Sequence, residues 1–290
     1  MTEQPVLVTG ATGKSGRRVV SRLRAAGHPV RAAARSGEHP FDWTDDSTWD
    51  AALEGVRAAY VVQLDGTNLV RPFVERARKH GVQRIVLASG RGIDDPGYVR
   101  DRTGMRDGIA DSEAAVRESG LEWTITRPGW FAQNFNEGFF ADAIAAGELR
   151  LPAGDGAATF VDAEDIAEVV AAALVRQGHA GQIYELSGPR AVSLTEAVET
   201  ISAVTGREIR YVPLSIEDYL AELVGQGLPR AEAEIFADFI EPLREGRDAH
   251  VSDGVQRALG RPPRSFAEFA ETAVWPGKPV DQTGKVEPRE

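Results

Sequence analysis

The sequence predicts an α/β fold: a doubly wound parallel sheet with a small, mostly helical lobe towards the carboxyl end. Three observations predict it. Short apolar runs alternate with segments of helical period through residues 6–135. A glycine-rich turn joins the first of those runs to the first helix. Beyond residue 150 the alternation gives way to helices opened by capping motifs.

Val6-Leu7-Val8 reads as a buried strand, Thr9-Gly10-Ala11-Thr12-Gly13-Lys14-Ser15-Gly16 as a turn, and Val19/Val20, Leu23 and Ala26 as the apolar face of a helix closed by Gly27. Residues 29–34 form the second strand, which ends at Arg35-Ser36, and 47–53 a short helix after Phe41-Asp42-Trp43. A third strand, 58–63, leads into Leu64-Asp65-Gly66. The helix expected over 68–80 carries Leu69/Val70, Phe73/Val74 and Ala77 at helical spacing. Residues 82–89 and 121–127 are further buried strands, and the helix between them presents Met105, Ile109, Ser112/Glu113 and Val116 on one face. Asp165 is suited to start a helix over 166–175, and Gln182–Leu186 is a short strand. Ser193-Leu194-Thr195-Glu196 and Ser265-Phe266-Ala267-Glu268 both fit the capping box. Pro213, Ser215 and Asp218 open one more helix. A last one, over 229–246, is expected to turn Ile235/Phe236, Phe239/Ile240 and Leu243 inwards, as core or as part of a pocket roof.

The three glycines of the turn each have a task where a dinucleotide binds: a tight turn, close approach of backbone to diphosphate, and close helix–strand packing. Lys14, Arg17 and Arg18 crowd the first helical turn, where acids are normally preferred, and a bound anion would relieve that conflict. Gly10, Thr12, Gly13, Lys14, Ser15 and Gly16 are therefore expected to hold a diphosphate; the alternative is a plain glycine turn with surface cations. Gln63, Leu64 and Ser89 join the cofactor site because ligands in such sheets bind at the strands' carboxyl ends. At the end of the second strand an acid would suit the ribose of NAD(H), and an arginine the 2′-phosphate of NADP(H). Arg35 stands there, so NADP(H) is expected over NAD(H), unless Arg35 is solvated or stacks on the adenine of NAD(H). Asp42 and Trp43 flank the adenine in this reading, or form an ordinary turn with a packed indole.

Composition narrows the function. The 290 residues are 42% hydrophobic and 27% charged, the profile of a globular protein. A net charge of −11 argues against nucleic acid as a partner. There are no cysteines, and the five histidines are scattered without metal-ligand spacing, so no metal is expected. No signal-like start and no apolar run near ~18 residues is found, which predicts a cytoplasmic protein off the membrane.

In its 6–16 turn, Val30-Arg31-Ala32-Ala33-Ala34-Arg35, Glu113 ahead of the 119–128 segment, Phe160-Val161-Asp162…Asp165-Ile166-Ala167, 184–189 and 259–266, the chain resembles the NmrA-like branch of the atypical short-chain dehydrogenase/reductases. The resemblance runs over roughly residues 5 to 272. It implies an NAD(P)-binding Rossmann domain, placed at 1–150 with returns from 157–188, a substrate-covering lobe at 189–275 and a loosely attached tail at 276–290. It also implies one of several roles: quinone or aromatic-compound reductase, partner in ring oxidation of aromatic polyketides, or non-catalytic redox sensor. Related reductases use Tyr-x-x-x-Lys to shuttle a proton. This sequence has no such pair: Ile109 and Glu113 occupy those places, and Tyr98-x-x-x-Arg102 falls too soon after Ser89. A quinone needs no positioned proton donor, because its reduced oxyanion is a stabilised phenolate.

The expected function is an NAD(P)H-dependent oxidoreductase for a quinone or polycyclic aromatic substrate, with tailoring of an aromatic polyketide as a variant. The alternative is a redox-sensing regulator, with a homodimer or another protein as partner. Trp130, Phe131 and Phe135 supply flat apolar surface and Gln133 and Asn134 polar contacts, unless the aromatics form core. Ser89 stands where related enzymes place a catalytic serine, or caps its own turn. Glu113, on a sheet-facing helix, meets a ligand hydroxyl or pairs with Arg127 or Arg106.

Overall fold

The computed structural model describes residues 4–275. Elements are numbered in chain order. The described residues divide into two compact units: residues 4–129, 163–187 and 252–263 form the first, and 130–162, 188–251 and 264–275 the second. The boundary expected near residue 150 thus falls at Gly129, and the helix near 254 returns to the first unit. The tail expected at 276–290 lies outside the described residues.

The first unit holds β1 (Val6–Val8), α1 (Lys14–Ala25), β2 (Val30–Ala34), β3 (His39–Pro40), α2 (Trp49–Leu53), β4 (Ala58–Val62), α3 (Val70–Lys79), β5 (Arg84–Ala88), α4 (Met105–Glu118) and β6 (Glu122–Pro128). Its later elements are α7 (Ala163–Val175), β9 (Gln182–Leu186) and α11 (Gly254–Leu259). The seven strands run parallel in the order β3-β2-β1-β4-β5-β6-β9, the doubly wound topology predicted. The chain winds outwards from β1 in one direction and from β4 in the other, so the switch point lies between their carboxyl ends. The central strands are buried on both faces through their middle residues, which is why they read as continuous apolar runs rather than alternating ones.

Helix α3 buries Val70, Phe73, Val74 and Ala77, the stripe its spacing predicts. Phe73 meets Phe41, Trp43 and Trp49 edge-on, with ring centroids 5.1–5.6 Å away. In α1 the buried stripe is Gly16, Val19, Val20 and Leu23, while Ala26 is exposed at the C-cap. Helix α7 starts at Ala163, earlier than the sequence suggests. Asp165 is not its opening cap but a fully buried side chain that accepts from Arg261 at 2.7 Å. Arg84 stops α7, its Nη1 donating to the carbonyls of Ala173, Leu174 and Arg176.

Beside that end, His179 is only 8% exposed, and its Nδ1 lies 2.9 Å from the Tyr184 hydroxyl. Burial, then the charges of Arg84 and Arg176, hold its imidazole below the ordinary 6.5. The folded state therefore binds this proton less readily than the unfolded chain. Stability falls as pH drops below about 6.5, towards the depressed folded value. Replacing His179 with glutamine is expected to flatten that loss when urea-unfolding free energies are measured between about pH 7 and pH 5.

The second unit holds α5 (Asn134–Glu137), α6 (Ala141–Ala146), β7 (Glu148–Leu151), β8 (Ala157–Ala158), β10 (Val192–Ser193), α8 (Leu194–Thr205), β11 (Arg210–Pro213), α9 (Ile216–Gly225), α10 (Arg230–Arg244) and α12 (Phe266–Thr272). Strand β11 pairs with β7, and β10 with β8. Ser193 and Ser265 cap α8 and α12, and the reciprocal box forms at Ser265–Glu268. At Ser193 the glutamate turns instead to Arg190. The inward face expected of α10 needs correction: Ile240 and Leu243 are buried, but Phe236 and Phe239 are 37% and 38% exposed. Phe236 falls in line with Ala233, Ile240 and Leu243 at i, i+3 and i+4 spacing, so its exposure is set by packing rather than by helical phase.

Candidate cofactor and active site

The turn between β1 and α1 is shaped by its glycines. Gly10 has φ +60°, and a Cβ built there would stand 3.1 Å from Val62 Cβ. A Cβ on Gly16 would stand 2.2 Å from the Gly10 carbonyl oxygen, so helix and turn touch backbone to backbone. The Gly13 N–H closes the turn onto that same oxygen at 2.9 Å. Gly13 is the N-cap of α1 and makes no side-chain cap, and the first turn holds no acid. Burial, then Arg17 and Arg18, push the Lys14 ammonium below its ordinary range. Arg17 is lowered by burial and then by Arg18. An anion at this helix end would offset both effects.

Two residues missed in the sequence hold this turn. Thr9, fully buried, donates from Oγ1 towards the carbonyls of Tyr60 and Val62 and accepts the Val62 N–H at 2.8 Å. Tyr60 donates its hydroxyl to Ser15 Oγ at 3.1 Å, and burial pushes the phenol up to about 12. A tyrosine within an apolar strand is the signal that was available, since a buried phenol needs a partner. At the carboxyl end of β4, Gln63 Oε1 is buried and receives no hydrogen bond among the described residues, whereas Leu64 is exposed. A bare helix end, a cradle that a Cβ would fill and an orphaned amide oxygen fit a dinucleotide across the switch point.

Arg35, exposed after β2, lies close enough to Asp42 to lower its carboxyl, though the Thr44 N–H and hydroxyl lower it more. Asp42 is thus bound up in a turn, and Trp43 is core: its indole N–H donates to the Val62 carbonyl at 3.0 Å. Neither is directed to a ligand by these contacts.

On the other side of the switch point, Ser89 follows β5. Its Oγ donates to Glu113 Oε1 at 2.6 Å. Glu113, 3% exposed on α4, also accepts from Arg127 Nε and Nη2, each at 2.8 Å, and from Arg117 Nη2 at 2.5 Å. Arg127 reaches Asp94 as well, at 2.7 Å, and its guanidinium is held above its usual range, first by Glu113. Of the two partners considered for Glu113, the structure selects Arg127; Arg106 instead donates to the Ile93 carbonyl.

The aromatic segment after β6 belongs to the second unit. Phe135 is fully buried against Phe140, Phe160 and Phe266, so it is core rather than pocket wall. Gln133 is buried too, donating to Asp162 at 2.7 Å, and Asn134 is buried at the start of α5. Trp130 and Phe131 are half-buried; the Trp130 ring stacks on Phe140 and its N–H donates to Asp248.

The model of an NAD(P)H-binding domain matches residues 10–177, more than half of the chain. The chain belongs to the NAD(P)H-binding family. It is 34% identical over 282 residues to the NAD(P)H azoreductase of Xenophilus azovorans, covering 92% of this chain and 96% of that one. The solved NADPH-dependent quinone oxidoreductase QOR2 of Escherichia coli superposes with a TM-score of 0.74 at 26% identity, over 91% of this chain and 98% of that one. That enzyme has also been solved with NADPH. Nmra, a negative transcriptional regulator solved in complex with NAD, shares the fold with a TM-score of 0.70 at 17% identity, over 93% and 95%. The NmrA-like resemblance read from the sequence therefore holds for the fold. The protein is an NAD(P)H-dependent oxidoreductase, with NADP(H) favoured and NAD(H) the alternative. Among the described residues, no helix is long and apolar enough to cross a membrane, and no three acidic or histidine side chains gather to hold a metal.

Proposed function

We propose that the protein reduces a quinone or a related conjugated aromatic acceptor, using NADPH held at the β1/β4 switch point. The observation that carries this reading is the backbone contact of Gly16 with Gly10 beneath an uncapped, cation-rich helix end. In this reading Gly10, Gly13, Gly16 and the N-terminal amides of α1 bind the diphosphate, aided by Thr12, Lys14 and Ser15. Gln63 Oε1 accepts from a ribose or carboxamide group, and Arg35 faces the 2′-phosphate. NADPH supplies a hydride when bound.

The acceptor must manage without a side-chain acid, since the sequence lacks Tyr-x-x-x-Lys and Glu113 is engaged by Arg127. A quinone meets that condition: its reduced oxygen is a phenolate, protonated afterwards from water. A polycyclic polyketide intermediate suits the same chemistry. The azoreductase and the quinone reductase among the relatives support this class of acceptor.

Mixing the purified protein with NADPH and a panel of quinones tests the proposal. Loss of nicotinamide absorbance is expected; tight binding of both cofactor forms with no turnover would favour the sensor reading instead. Arg35→Ala is expected to reduce the preference for NADP+ over NAD+ by about 10- to 100-fold in titrations, the loss of a charge-assisted hydrogen bond. A variant that kept its full preference would remove the role given to Arg35.

A further inference from the structure

Ser89 carries one hydroxyl hydrogen, and the structure spends it. The Oγ–H points to Glu113 Oε1 at 2.6 Å, and Glu113 cannot return the favour. A carboxylate that already faces two guanidinium groups is an acceptor only. No hydrogen bond into Ser89 Oγ is made by the described residues, so its lone pairs are what remains for a ligand at the carboxyl end of β5. Glu113 cannot swing away without stripping the buried Arg127 of two of its three carboxylate hydrogen bonds and leaving it only the exposed Asp94, which fixes the polarity of the serine.

We propose that Ser89 is a hydrogen-bond acceptor for substrate, held in that role by Glu113 as positioning residue, and that it selects aromatic acceptors bearing an O–H or N–H group. This rests on the reading of the β-strand ends as the cofactor and substrate site. The chemistry is restrictive. A lone pair opposite the oxygen that gains negative charge during reduction would repel it, so the reacting carbonyl cannot face Ser89. What faces Ser89 is a donor elsewhere on the ring system, a hydroxyl or an amino group. The serine thereby orients the substrate instead of activating it.

The test compares two quinones that differ by one donor, 2-methyl- and 2-hydroxymethyl-1,4-naphthoquinone, with NADPH saturating. The wild-type protein is expected to favour the hydroxymethyl compound by about tenfold in kcat/KM, mainly through KM, the worth of one hydrogen bond. Ser89→Ala is expected to bring that ratio to about one. Glu113→Gln, whose amide N–H can occupy the serine oxygen, is expected to lower it as well. A ratio is independent of the fraction of folded enzyme, so loss of stability in the Gln variant does not obscure the result. If Ser89→Ala keeps the wild-type ratio within about twofold, or wild type shows no preference while both quinones turn over, the inference is overturned and the reductase reading survives. Failure to bind NADPH at all would overturn both.

Discussion

Gly16→Ala is expected to raise the NADPH dissociation constant by at least about tenfold and to lower unfolding stability by about 1–3 kcal/mol. The added Cβ would stand 2.2 Å from the Gly10 oxygen and 2.8 Å from its carbonyl carbon, and both are backbone atoms with no rotamer to change. The turn cannot retreat freely. Gly10 already lies against Val62 on its other side, and its oxygen holds the Gly13 N–H. The strain must therefore move the N-terminal amides of α1, the groups proposed to meet the diphosphate. A displacement on the order of 1 Å at a binding group is enough to cost about a hundredfold in rate. Calorimetric titration with NADPH, beside urea unfolding, reads both effects. Gly225→Ala, at a helix end with open space around the new methyl group, is the control and is expected to bind NADPH as wild type does. Unchanged NADPH affinity in Gly16→Ala would show that the turn does not carry the diphosphate.

Much of the first unit was legible because its signals are local. A glycine at a turn and an apolar stripe on α3 each declare their surroundings within a few residues of sequence. The segment after β6 was harder to read. Trp130, Phe131 and Phe135 follow one another closely, and nothing local says that Phe135 meets Phe160 and Phe266 while Trp130 remains half-buried. Helix α10 misled in the same way. Apolar residues at both 235/236 and 239/240 mark a broad stripe, and only the packing of the second unit decides that Ile240 is enclosed and Phe236 is not. The polar core of the site was legible by halves. Glu113 stood out as a carboxylate on a buried face with Arg127 or Arg106 as its partner, while Arg117, one turn later on the same helix, was missed. The choice of Arg127 over Arg106 needed the structure, in which Arg106 turns to the Ile93 carbonyl.

Arg127→Met is expected to cost about 3–5 kcal/mol in urea unfolding, because it strips Glu113 of two charged donors inside the protein. Arg117 cannot make up the loss, since its side chain is 41% exposed and its charge is screened by solvent. Removing both charges avoids the problem. Glu113→Leu combined with Arg127→Met leaves Asp94 to solvent, where it is already 72% exposed, and is expected to recover to within about 1–2 kcal/mol of wild type. A cost below about 1 kcal/mol for Arg127→Met alone would mean that the pair is not desolvated as the structure has it. The double variant also separates two reasons for keeping a buried ion pair. Stability returns in it, yet Ser89 no longer has a carboxylate to receive its hydrogen and is free to donate to substrate. If the pair serves to orient Ser89, the double variant folds well and still loses the preference for the hydroxymethyl quinone. If the pair serves stability alone, that preference survives in the recovered protein.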